Sequence, residues 1–361
     1  MSLPLLVGAI TSTAALTGVL ERPDLPSLEA SPSAAHVALA AGASLVPGLL
    51  VHGSGHFVLG EEETAYRLLA AEGVGLGLLG VGFGGLAVTG ASRRLSGPLI
   101  GAGIAGAMLT GVSWLADTYG VLAPEGGLGA PRLDLPPIEA RLGWRFVSDP
   151  TATYGQLLVP GARVAFSDFW VDAEALIALD APNARVSLVG AWRLDGPRHG
   201  EIAADGSFLD VVIGARHHHH GDGDFAVTTV EAMVNGRYDL ARIGRTLRGT
   251  FVELGLGAGL EAYDFFGEDG DGNEILLGRF AVGGYFGAPG RGWGEVSAYY
   301  DHRHDGFAAG FKMPGAGSGT AGHFGLAARI LPFADWGVDL DLAVGSAWVG
   351  GLSLVYRRAP R

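Results

Sequence analysis

From residue 138 onward, apolar and polar side chains alternate. In IEARLGWRF, Ile138, Ala140, Leu142, Trp144 and Phe146 share one face, and Glu139, Arg141, Gly143 and Arg145 share the other. A period of two is a strand period, because successive side chains of a pleated chain point to opposite sides. FVELGLGAGLEAY repeats the pattern, setting Val252, Leu254, Leu256, Ala258 and Leu260 against Glu253, Gly255, Gly257, Gly259 and Glu261. So do HFGLAARI and WGVDLDLAV, where Asp339 and Asp341 alternate with Val338, Leu340 and Leu342. About ten to twelve such segments of roughly ten residues follow one another, parted by Gly, Asp, Asn and Pro turns, as in a transmembrane barrel. Lipid offers backbone groups no hydrogen bonds, so strands can cross it only if the sheet closes on itself. A soluble sandwich also alternates, but Trp144, Trp170, Trp192, Trp293, Trp336 and Trp348 lie in or beside strands and predict an interfacial aromatic girdle.

Composition agrees with a membrane protein. The 361 residues are 48% hydrophobic, and the net charge of −13 argues against nucleic acid, whose phosphate backbone calls for an extended surface of clustered Lys and Arg. There is no cysteine, so disulfides, thiolate metal sites and cysteine nucleophiles are absent. Glycine is abundant, with 61 residues spread along the whole chain.

The first 137 residues read differently. Residues 1–33 have a short apolar stretch without the basic start of an export leader, and read equally as a defective leader or as a helix. Residues 34–120 are helical. Ala34 to Leu50 is too short and broken, by Pro47 and Gly48, for a span, and predicts a tilted or interfacial helix. Glu61, Glu62 and Glu63 open a helix running to Ala91, where carboxylates suit the positive end of the dipole. After the turn SRRLSGP a second apolar helix runs from Pro98 to about Tyr119, completing a hairpin. Residues 121–137 are a Pro- and Gly-rich linker. Both helices carry small residues at spacing four: Gly73 with Gly77, Gly80 with Gly84, Gly97 with Gly101, and Gly103 with Ala107 and Gly111. Such spacing lets backbones approach closely in lipid, where no hydrophobic force drives helices together, and predicts packing against protein.

Candidate chemistry is sparse. In VHGSGHF, His52 and His56 flank Ser54, but the nucleophile-elbow spacing is missing and two glycines weaken a helical zinc pair, so a bend with its histidines at headgroup level is the reading. RHHHHGDGD (216–224) reads as a polar surface loop. EDGDGNE (268–274) starts like a calcium loop but has Phe280 at position twelve, and reads as an acidic hairpin loop. Arg67, Glu72 and Asp117 fall near the ends of the apolar spans, where interfacial anchoring is expected. YDLARIGRTLRG reads as a short basic helix or as a strand with a turn. A barrel-borne enzyme would need Ser297, His302 or His304 beside an acid, and their spacing singles none out. No cofactor or metal is called for; membrane lipid is.

The last strand, VGGLSLVYRR, holds Gly351, Leu354 and Tyr356 in the order Gly-x-x-apolar-x-aromatic, similar to the β-signal read by the barrel-assembly machinery of outer membranes. The order of parts, a Gly-rich hairpin (EEETAYRLLAAEGVGLGLLGVGFGGLAVTG and GPLIGAGIAGAMLTGVSWLADTYG) ahead of a barrel ending GGLSLVYRR, resembles the PopA-like superfamily of porin-like, lipid-trapping outer-membrane proteins first described in predatory bacteria. That resemblance implies barrels ringed around central helices that enclose phospholipid or lipopolysaccharide, with the glycine ladders as the contact between subunits. The expectation is therefore a non-enzymatic outer-membrane protein: an N-terminal transmembrane helical hairpin, then an antiparallel transmembrane barrel over 138–361, self-associating and holding lipid. The alternative is a channel whose lumen charges Glu139, Arg141, Glu253, Glu261, Glu295, Asp339 and Asp341 select small solutes.

Overall fold

The structure is a computed structural model that describes residues 33–90, 94–122, 133–150, 154–203, 205–221, 225–264, 270–287, 293–303, 306–311 and 322–358. All but the last residue of the 1–33 leader reading, most of the linker and the loop residues 265–269 before Gly270 fall outside the described residues.

The alternating segments become twelve strands. They are β1 Ile138–Ser148, β2 Gly155–Phe166, β3 Phe169–Ala178, β4 Ala184–Asp195, β5 Phe208–His220, β6 Phe225–Asp239, β7 Thr250–Asp264, β8 Asp271–Gly287, β9 Trp293–Asp301, β10 His323–Leu331, β11 Trp336–Val344 and β12 Trp348–Arg358. Each pairs antiparallel with its neighbours in sequence, and β12 returns to pair with β1, Arg358 opposite Ile138 and Trp348 opposite Ser148. Closure leaves no edge strand. An even strand number brings both ends of the barrel chain to one rim, here called the terminal rim; the opposite one is the far rim.

Parity along the strands decides what faces lipid. Leu142, Leu254, Leu256, Leu260, Leu276 and Leu352 are all about half exposed or more, whereas their neighbours Glu139, Glu253 and Glu261 are buried. Trp144, Trp192, Trp336 and Trp348 are likewise exposed on the outer face. Two of the expected girdle tryptophans are not there. Trp170 stands in phase with Asp172 and Glu174 and donates to Asp210 Oδ2 (3.3 Å), and Trp293, in phase with Glu295, packs under the Arg357 guanidinium. Pleat parity overrides the preference of the residue type. The same rule corrects the histidine run: His217–His220 lie within β5, not in a loop, with His218 and His220 inward, their rings 3.7 Å apart, and His218 bonded to Asn183. YDLARIGRTLRG ends β6 and then makes two 3-10 turns, Leu240–Arg242 and Arg245–Leu247, the first capped by Asp239.

Ahead of the barrel come α1 Ala34–Leu45, α2 Ser54–Leu59, α3 Glu62–Leu79, a π turn over Gly80–Gly84, α4 Gly85–Thr89 and α5 Ser96–Leu122. The expected single helix to residue 91 thus widens through the π turn where glycines are densest. Glu62–Thr89 and Gly97–Leu122 are each long and apolar enough to cross a membrane. They lie outside the barrel: a Cβ on Gly111 would sit 3.0 Å from Val282, an outward residue of β8, and the Tyr119 ring covers Gly249 at the start of β7. Gly249 has φ +80, so only glycine serves both that turn and the ring above it.

Candidate functional site

The seam between α3–α4 and α5 is built on glycines, though mostly not those at spacing four. A Cβ on Gly82 would lie 2.6 Å from Gly103 Cα and 2.6 Å from Leu99 O, one on Gly106 would lie 2.6 Å from Gly75 O, and one on Gly75 would meet Thr110. Gly75 and Gly82 are seven apart, two turns, and so share a face. Of the residues picked out by spacing, Gly103 meets Phe83 and Gly111 meets Val282. Gly73, Gly77, Gly80, Gly84, Gly97 and Gly101 have nothing within 4 Å of an added Cβ, and Ala107 is exposed. Beside these open glycines Val74, Leu76, Val81, Phe83 and Val88 are more than half exposed. One face closes the hairpin; the other has no covering among the described residues.

At the foot of the hairpin the VHGSGHF segment folds around a carboxylate. Asp117 of α5 is fully buried. Its Oδ2 accepts from the backbone N–H groups of Gly53 (3.0 Å) and Gly55 (3.2 Å), and its Oδ1 from that of His56 (3.2 Å), with His56 Nδ1 at 2.7 Å. A side chain of one helix thus caps the amino end of another, the place where unpaired N–H groups and the dipole favour a negative charge. Glu72 of α3 accepts from the N–H of His52 (2.9 Å), and His52 Nδ1 lies 2.6 Å from Ser113 Oγ, which bonds Thr110 O. Gly53 has φ +89 and no room for a Cβ against Ala65. The histidines are therefore buried within the protein, and Glu72 and Asp117 are clasped rather than snorkelling. Only Arg67 is exposed, paired with Glu63 at 2.6 Å. The reason is long-range: the fold-back of α1 and α2 supplies the donors that make a buried carboxylate tolerable. Ionisable residues inside apolar helices, next to a two-histidine motif, were the signal for it.

Inside the barrel all seven lumen charges point inward, and arginines tie them together. Arg329 of β10 holds Glu139 of β1 (3.0 and 3.1 Å) and Asp339 of β11 (2.8 and 2.6 Å). Arg237 of β6 holds Glu253 (2.7 Å) and, three strands round, Glu295 (2.7 and 3.1 Å). Arg141 joins Glu139 to Asp172, Arg216 and Arg303 both grip Glu231, Tyr263 donates to Glu261 and Tyr299 to Asp341. Sequence reading named Glu139, Arg141, Glu253, Glu261, Glu295, Asp339 and Asp341 but missed Asp172, Glu231, Arg163, Arg216, Arg237 and Arg329, although each stands at an inward position of its strand. At the terminal rim Leu133–Asp134 pairs with Ile202–Ala203, and Ala203 packs with Phe251, Tyr285, Leu135 and Trp293. In the β4–β5 connection there, burial, then Arg193 and Arg163, push His199 down to about 4. Towards the far rim, Phe307 from the β9–β10 connection packs against Val147, Leu157, Leu176 and Val349 on the inner wall. Of the enzyme candidates, Ser297 lies at an inward position of β9, His302 bonds Tyr300 (2.8 Å), and His304 is outside the described residues.

A closed, even-stranded antiparallel barrel with an apolar outer face is the architecture of the Gram-negative outer membrane. The chain is a barrel of this outer-membrane type. No known protein family and no curated protein matches it. Among solved structures it is similar to the outer membrane protein Omp33 of Acinetobacter baumannii (12% identity, 64% of this chain and 100% of that one, TM-score 0.31). It is also similar to the translocator domain of the autotransporter NalP from Neisseria meningitidis (13%, 69% and 97%, TM-score 0.39) and to the NanC porin (10%, 61% and 99%, TM-score 0.36). The fold assignment rests on the closed strand pairing itself.

Proposed function

We propose that the protein is a non-enzymatic outer-membrane barrel that assembles with copies of itself through its external helices and holds lipid between them. The observation that carries this reading is the hairpin: two membrane-length helices seated on the outer wall, closed on one face and lined on the other by open glycines and exposed apolar side chains. Small residues at a lipid-facing surface allow a second helix to approach closely, and copies joined around such helices enclose a patch of bilayer. The lumen supports the reading from the other side. Ion pairs span it between strands that are not neighbours, and each rim carries an apolar cluster, an arrangement that leaves the helices rather than the pore as the working surface. Leu354 and Tyr356, exposed on β12, with Gly351 inward, would present the β-signal to the assembly machinery.

A channel is the competing reading, favoured by the cavity that remains among the lumen arginines. Semi-native electrophoresis of boiled and unboiled samples, together with planar-bilayer recording, separates the two. Under the assembly reading, the heat-modifiable monomer is accompanied by larger species that carry phospholipid or lipopolysaccharide detectable by mass spectrometry. These species disappear in Gly77→Leu or Gly84→Leu, and the bilayer stays silent. Steady unitary conductance from a protein that runs only as a monomer would overturn it.

A further inference from the structure

Between the inner wall of β1–β5 and the in-folded β9–β10 connection lies a cavity of about 510 Å³, lined by Arg141, Arg145, Arg163, Arg185, Arg216 and Arg303. The carboxylates on its wall are largely engaged. Asp172 is shared by Arg141 and Arg163, Asp339 is held by Arg329, Asp341 accepts from Tyr299, and Asp301 faces Arg279 at 3.6 Å. Glu174 lies beside Arg141. Arg145 is the exception among the guanidiniums. Its Nε is buried with no hydrogen-bond partner among the described residues, and it stands opposite Gly351 of β12, which gives it no side chain to pair with. Arg185, on the same wall, is laid over the Phe307 ring with its guanidinium carbon 4.5 Å from the centroid.

A guanidinium presents its donors in a planar fork that matches the two oxygens of a carboxylate or a phosphate. A buried donor without an acceptor costs free energy that a bound oxyanion returns. The volume falls in the range of about 300–1,000 Å³ typical of small-molecule sites. We infer that this cavity is a binding site for a small, water-soluble solute bearing a carboxylate or phosphate, with Arg145 as its anchoring cation. The inference needs only the barrel and is independent of whether the external helices assemble.

The test uses the full chain, refolded in detergent and checked by its heat-dependent gel shift. It is titrated calorimetrically at low ionic strength with inorganic phosphate, with succinate, and with phosphatidylglycerol vesicles after reconstitution. The expected result is saturable binding of at least one free anion at one site per chain, weakened at least tenfold by Arg145→Gln and unchanged by Arg67→Gln on the outer helix. If Arg145→Gln does not give the folded band, Arg145→Lys, which keeps the charge but loses the planar fork, carries the same expectation. Absence of saturable binding to both free anions, affinity unchanged in the folded Arg145 variant, or binding confined to the vesicle headgroup would each overturn the assignment.

Discussion

Replacing Gly82 with alanine should open the helix seam, while a much larger side chain at Gly77 should not. An added Cβ at Gly82 would lie 2.6 Å from both Gly103 Cα and Leu99 O, backbone atoms that no rotamer change can move. To restore an ordinary contact near 3.4 Å the two helices must part by roughly 1 Å, the kind of overpacking that costs about 1–3 kcal/mol. In lipid the seam is held by packing rather than by a hydrophobic drive, so the loss is not recovered elsewhere. Taking about 2 kcal/mol, the open fraction rises roughly thirtyfold. The chain has no cysteine, so a single thiol reports this cleanly. Thr110 suits it: its hydroxyl is buried without a hydrogen-bond partner among the described residues and faces Gly75 across the seam. In a Thr110→Cys background, maleimide labelling in nanodiscs should accelerate about thirtyfold with Gly82→Ala and stay within twofold with Gly77→Leu, whose Cβ meets nothing within 4 Å. Equal acceleration by both variants, or none by Gly82→Ala, would refute the division of the glycines into a seam face and an open face.

Asp117→Leu leaves the N–H groups of Gly53, Gly55 and His56 without their acceptor and should cost about 3–5 kcal/mol; a thiol placed at Ser44, fully buried beside Gly55, should become reactive, with Asp117→Asn intermediate. Burial pushes His199 down to about 4 in the fold from an ordinary imidazole value of 6.5, so as pH falls from 6.5 toward 4 the unfolded chain takes up a proton that the folded one refuses and stability declines. The urea midpoint should drop between pH 7 and pH 4.5 by the equivalent of roughly 1–2 kcal/mol, discounted for partial exposure, and His199→Leu should remove that part of the slope.

Local sequence determined the parts of this protein that depend on period. Alternation at Ile138 to Phe146 and at Val252 to Glu261 specified strand, and also which residues face lipid and which face the lumen, because pleating gives each residue only two choices. The apolar length of 62–89 and 97–122 likewise specified membrane-scale helices. What required tertiary structure was every question of partner. Which glycines pack was decided by how α3 crosses α5 and how α5 lies on the barrel, so Gly75, Gly82, Gly103, Gly106 and Gly111 matter inside the protomer while Gly73, Gly77, Gly80, Gly84, Gly97 and Gly101 stay open. Whether Glu72 and Asp117 snorkel or are clasped was decided by α1 and α2 folding back to supply N–H donors from residues 52–56. Which arginine meets which carboxylate was decided by barrel closure, which brings Glu139 to Arg329 across 190 residues of chain. Periodicity is a property of neighbours in sequence, whereas the satisfaction of a buried charge depends on groups that only the closed fold brings within reach.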